Sequence, residues 1–88
     1  FEARLVDMAA VDRGPHLVAE RWEGERGRSV LLIGHLDTVF EEDEAFQTFV
    51  REGDTARGPG VSDMKGGDVV VIYALKALQA MGALDGTR

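Results

Sequence analysis

Residues 29–34 place the tightest constraint on what this chain can fold into. Ser29 is followed by the aliphatic run Val30-Leu31-Leu32-Ile33 and then by Gly34. No polar side chain interrupts the run, so neither face of it suits water. A short continuous apolar run of this kind predicts a strand buried on both faces, as in a central or parallel sheet. Polar chemistry begins at the next residue, His35. In open α/β sheets, ligands collect outside the carboxyl ends of strands, so this is where a site is expected.

The remaining elements are read outward from that strand. Residues 4–8 suggest a short strand, and Gly14-Pro15 marks a turn. Residues 16–22 read as a strand, with Leu17, Ala19 and Arg21 on one face and His16, Val18, Glu20 and Trp22 on the other. Residues 23–28 are charged, contain two glycines and read as a hairpin loop. Residues 41–45 form an exposed loop, and residues 46–51 a short strand or extended segment closed by a turn at Gly53-Asp54. Gly58-Pro59-Gly60 is a rigid loop.

Residues 65–81 predict a helix: Val71, Ala74, Leu75, Leu78 and Met81 have helical spacing, and Gly82 suits the position after the helix end. Val69-Val70-Val71-Ile72 favours a strand locally. The pattern nevertheless runs unbroken through residues 74–78, and a helix that packs deep against a sheet is apolar over much of its surface. The element order, β-β-β-(β)-α, gives an α/β class with a mixed sheet.

Composition narrows the function. With 88 residues the chain holds at most one small domain. Its net charge of −6, part of it in the run Glu41-Glu42-Asp43-Glu44, argues against nucleic acid or an anionic membrane as the main partner, since both call for basic patches. Cysteine is absent, so any metal must be held by His, Asp or Glu. No apolar run reaches the roughly 18 residues that suggest a membrane span. No basic-then-apolar leader is visible, both ends read as cut, and nothing fixes a compartment.

Two motifs carry chemistry. In Gly34-His35-Leu36-Asp37-Thr38-Val39, an extended backbone sends residues two apart to the same side, so His35 and Asp37 can face one pocket. A metal-bound imidazole gives its second ring N–H to a carboxylate or carbonyl, and His-x-Asp supplies both partners compactly. A solvated His and Asp at a strand end is the plain alternative. In Gly58-Pro59-Gly60-Val61-Ser62-Asp63-Met64-Lys65-Gly66-Gly67, Asp63 sits where a loop becomes a helix. There it is either an N-cap, for which Asp is well suited, or a rigidly held carboxylate able to bridge two cations. The dinucleotide fingerprint fails for want of its third glycine, and a Walker loop fails because Gly66 follows Lys65.

Taken together, an apolar strand running into Gly-His-x-Asp-Thr-Val, then Gly-Pro-Gly-x-x-Asp-Met-Lys-Gly-Gly opening a helix, resembles the zinc peptidase and deacylase family. That family includes glutamate carboxypeptidases, acetylornithine deacetylase, succinyl-diaminopimelate desuccinylase and aminoacylase. The resemblance covers residues 30–82, and the Gly58-Pro59-Gly60 form looks most like the glutamate carboxypeptidase branch. It implies that residues 1–88 are the N-terminal part of a catalytic domain, truncated at both ends, with a mixed β-sheet flanked by helices in the phosphorylase/hydrolase-like manner.

By the same resemblance, His35 would be a ligand to one metal, Asp63 the carboxylate bridging two, and Asp37 the supporting catalytic acid residue. Thr38, Gly60 and Lys65 match the motif as structural residues. The implied cofactor is a pair of Zn2+ ions, with Co2+ or Mn2+ also suited to such ligands. The implied reaction is hydrolysis of an amide or peptide bond in a small peptide or N-acyl amino acid, and the full-length protein would be a homodimer. The family's general base and one ligand form an adjacent Glu-Glu pair after the next strand, and a further acidic ligand and a His follow. Glu41-Glu42 precedes Asp63 and does not match that pair, and His16 lies far upstream. Two other readings stand beside this one. A related co-catalytic zinc aminopeptidase would have Asp-Asp or Asp-Asn after the bridging Asp, where this chain has Met64-Lys65. A non-catalytic remnant or binding domain would account for the missing ligands.

Overall fold

Two antiparallel hairpins and one long helix make up the regular structure in the computed structural model, which describes residues 1–22 and 28–87. The chain divides into two compact units, Phe1–Leu31 with Met81–Arg88, and Leu32–Ala80.

In the first unit, β1 (Glu2–Val6) pairs antiparallel with β2 (His16–Glu20), with Leu5 opposite Leu17 and Arg4 opposite Val18. Both strands were expected from the sequence, and both end about two residues earlier than their patterns suggest. The strands are joined through a short helical turn, Ala9–Val11, whose entry is fixed by the Ala9 N–H donating to Asp7 Oδ1 at 2.9 Å. Arg4 and Glu20 form an ion pair at 3.0 Å with both side chains more than half exposed, a geometry that adds little stability. The hairpin loop expected over 23–28 lies almost wholly outside the described residues. Leu84, in the turn after the helix, is the buried apolar side chain among those described.

The second unit carries the motifs. The strand expected over 29–34 is absent: residues 28–39 form no regular element, and Leu31 and Ile33 are each 81% exposed. The reason is pairing. A strand needs a neighbour for its N–H and C=O groups, and the described strands pair with one another, β1 with β2 and β3 with β4, none of them with residues 29–34. Two separate two-stranded antiparallel sheets therefore stand where a mixed sheet was expected.

β3 (Val50–Glu52) and β4 (Thr55–Arg57) form a hairpin over Gly53-Asp54, the turn predicted from the sequence. β4 had no sequence signature: Thr55-Ala56-Arg57 has no apolar alternation and becomes a strand only through its partner. Upstream, Phe40 and Phe46 close the acidic loop with an edge-to-face contact at 5.0 Å.

Helix α1 (Gly67–Ala80) agrees with the predicted 65–81 to within two residues, and Gly82 follows it at φ 68°. Asp68, Val71 and Leu75, at i, i+3 and i+7, form its half-buried face. Val70 and Tyr73 remain exposed, so only part of this apolar helix is covered. Before it, residues Val61–Gly66 make an irregular turn entered through Gly60 at φ 71° and closed by the Lys65 N–H donating to the Gly60 carbonyl at 2.9 Å.

Gly60 is the residue on which that turn depends, because a Cβ there would meet the Lys65 ammonium and the Thr38 methyl at 2.9 Å as well as a left-handed backbone. Gly60→Ala is expected to cost roughly 1–2 kcal/mol from the backbone alone, measured by urea denaturation. Gly14→Ala, with nothing within 4 Å of the added methyl, serves as the neutral comparison.

Candidate metal centre

The two motifs meet at one imidazole. His35 Nε2 lies 3.0 Å from Asp63 Oδ1, although the residues are 28 apart in sequence. On its other side, His35 Nδ1 lies 3.1 Å from the Asp37 carbonyl oxygen and 3.2 Å from Asp37 Oδ1. His35 and Asp37, two residues apart, thus lie side by side, as their spacing suggested.

Asp63 reaches His35 because its backbone leaves the helical region. Its φ of −117° and ψ of 98° turn the carboxylate out of the Val61–Gly66 segment. Asp63 does not stand where an N-cap of α1 would: α1 starts four residues later at Gly67, and the Asp63 carboxylate is directed to His35. The peptide bond between Asp63 and Met64 is cis.

The electrostatics follow from the acceptors. A neutral imidazole has one N–H and cannot donate on both sides, whereas the imidazolium can. The His35 pKa is accordingly raised above its ordinary 6.5, first by the hydrogen bond to the Asp37 carbonyl and then by the Asp63 carboxylate, against an opposing effect of desolvation. A cation at Nε2 would take the place of that proton, leaving Nδ1–H to donate to Asp37. That is the usual way a ligating histidine is held in one tautomer.

His35 and Asp63 suit a metal as a partial donor set. Tetrahedral ligands at zinc–ligand distances of about 2.0–2.1 Å sit about 3.3 Å apart, so the observed 3.0 Å needs only slight opening. Among the described residues, no group of three or more His, Cys, Asp or Glu is arranged to hold an ion. The pair is open to solvent, with the His35 side chain 43% and the Asp63 side chain 81% exposed.

The other motif residues shape the walls. Thr38 Oγ1 accepts the Phe40 N–H at 3.2 Å, a local turn that fixes the chain leaving Asp37. Thr38, Val39, Phe40, Val61, Ser62 and Asp63 line a cleft of about 180 Å³. Ligand pockets run from roughly 300 to 1,000 Å³, so this cleft has room for one side-chain-sized group. Glu41 and Glu42 are exposed in the loop that follows, and His16 sits on β2 opposite Val6. Sequence reading passed over Asp68. Its signal is a carboxylate three residues before Val71, on the face of α1 that turns inward.

A model of peptidase family M20/M25/M40 matches residues 31–87. Among curated relatives, carboxypeptidase G2 of Pseudomonas sp. (strain RS-16) is 42% identical over 64 residues, covering 72% of this chain and 15% of that protein. An N-formyl-4-amino-5-aminomethyl-2-methylpyrimidine deformylase of Halalkalibacterium halodurans is 42% identical over 62 residues, covering 64% of this chain and 14% of that protein. The chain therefore spans about one-seventh of the length of these relatives. No solved structure matches significantly.

In the metal-free chain, an NMR titration of His35 should give a midpoint above 6.5, and Asp63→Asn should lower it. Because the folded pKa is the higher one, the stabilisation from this contact is full below the unfolded value. It fades as pH rises through the folded midpoint. A midpoint at or below 6.5 would contradict the geometry.

Proposed function

Because the chain belongs to peptidase family M20/M25/M40, we propose that it forms part of the catalytic domain of a metal-dependent hydrolase acting on amide or peptide bonds. The observation that carries this reading is the convergence of His35 Nε2 and Asp63 Oδ1 at 3.0 Å, with the far side of the ring held by Asp37. The relatives' names, a carboxypeptidase and a deformylase, support cleavage of a bond between carbonyl carbon and nitrogen.

In this reading His35 offers the Nε2 lone pair to one metal ion. Asp63 would be the carboxylate shared between two. Asp37 is the supporting residue: it fixes the imidazole tautomer and raises its basicity as a ligand. Zinc is the preferred ion, and cobalt or manganese would also suit. A bound metal pair supplies Lewis acidity and a water acidic enough to ionise near neutral pH.

The remaining ligands and the glutamate base would come from the larger part of the protein. So would the strands that turn residues 29–34 into an inner strand of a mixed sheet. The proposed substrate is a small peptide or N-acyl amino acid, with the 180 Å³ cleft beside Asp63 taking one group of it. A homodimer of the full-length protein is part of the same proposal.

Two measurements test it. Calorimetric titration of the isolated 88 residues with zinc should show weak binding, and an amidase assay no turnover. In the full-length protein, Asp37→Asn should lower metal affinity or activity by roughly 10–100-fold. Losses for His35→Ala and Asp63→Ala should be larger, and hydrolysis of N-acyl amino acids should exceed that of peptides with a free amino terminus. Full activity in His35→Ala would sink the assignment.

A further inference from the structure

Behind the His35–Asp63 pair lies a contact that the proposed reaction does not use. Asp68 is in the first turn of α1, on the half-buried face it shares with Val71 and Leu75. Its carboxylate abuts Gly34, the residue directly before His35. A methyl group built at Gly34 would collide with Asp68 Oδ1, with Asp68 Cγ at 3.3 Å and Met64 Cε at 3.4 Å. Met64 directly follows Asp63. Gly34, Met64 and Asp68 thus form one small patch, touching the His35 strand end on one side and the Asp63 turn on the other.

The chemistry of Asp68 is out of keeping with a packing role alone. Its Oδ2 is shut off from water and has no hydrogen-bond partner among the described residues. Leaving a buried acceptor unmatched costs about 1–3 kcal/mol, more when it is charged. An aliphatic side chain at this point of the stripe would avoid that cost. Only a glycine at position 34 lets the carboxylate approach the backbone this closely.

We propose that Asp68 is a positioning residue for the metal ligands: wedged on Gly34, it sets where the His35 backbone lies against α1 and the Asp63 turn. The inference rests on the reading of His35 and Asp63 as ligands. A ligand pair tolerates only small errors, since displacement of a few tenths of an ångström at Nε2 alters the bond to a cation. The groups that orient ligands are worth about 10–100-fold in affinity.

The test uses the full-length protein, with zinc affinity, the visible spectrum of the cobalt-substituted site and thermal melting as separate readouts. Asp68→Ala should weaken zinc binding by about tenfold and alter the cobalt spectrum. Asp68→Asn, which keeps the shape, should restore both. Gly34→Ala presses on the same contact from the other side and should also weaken binding, with Gly34→Ala/Asp68→Ala recovering part of the loss. These two keep the test open if Asp68→Ala alone does not fold. A lowered melting temperature with unchanged affinity and spectrum would overturn the proposal, leaving Asp68 a packing residue. Asp68→Asn as impaired as Asp68→Ala would also overturn it, since the shape of the side chain wedged on Gly34 would then not be what positions the ligands. If the unmodified protein binds neither zinc nor cobalt, the ligand reading fails first and this inference with it.

Discussion

One imidazole held between two acceptors organises the motif-bearing unit. The Asp37 carbonyl takes one ring nitrogen of His35 and the Asp63 carboxylate the other. Neither contact is buried, so neither owes its strength to a low dielectric. Each depends on local backbone instead: the two-residue spacing of His35 and Asp37, and a turn that leaves helical geometry at Asp63. The same arrangement that favours a proton on His35 in the metal-free protein favours a cation there, because both are positive charge between oxygen acceptors.

The surroundings of this pair are unusually bare. Leu31, Ile33 and Val39 are each more than 80% exposed, and the outer side of α1 shows Val70 and Tyr73. The chain spans about one-seventh of the length of its curated relatives. What the 88 residues hold by themselves is the seed of the site: hairpin, turn and helix start arranged about two ligand candidates.

Much of this was legible in the residues. The helix was readable because its apolar spacing is long and unbroken, and a dozen consecutive residues constrain one period well. The β3–β4 turn was readable from Gly53-Asp54, and the family from two motifs in the right order. The strand expected at 29–34 does not form among the described residues, for a physical reason. Apolarity states that a segment needs covering, but strand geometry is conferred by a neighbour's hydrogen-bonding groups, and none of the described strands pairs with this segment. β4 was missed for the converse reason, being made a strand by its partner without any pattern of its own.

The sequence by itself supplied the candidates: His35 and Asp63 as possible ligands, Asp37 two residues from His35 as their support, and no cysteine to compete with them. Only the tertiary structure decided that Asp63 faces His35 rather than capping α1, and that Asp68 presses on Gly34 behind them. Both are contacts across about 30 residues of chain. Local propensity reaches a few residues along the backbone, whereas these distances are set by how the Asp63 turn and the first turn of α1 pack against the 34–38 segment.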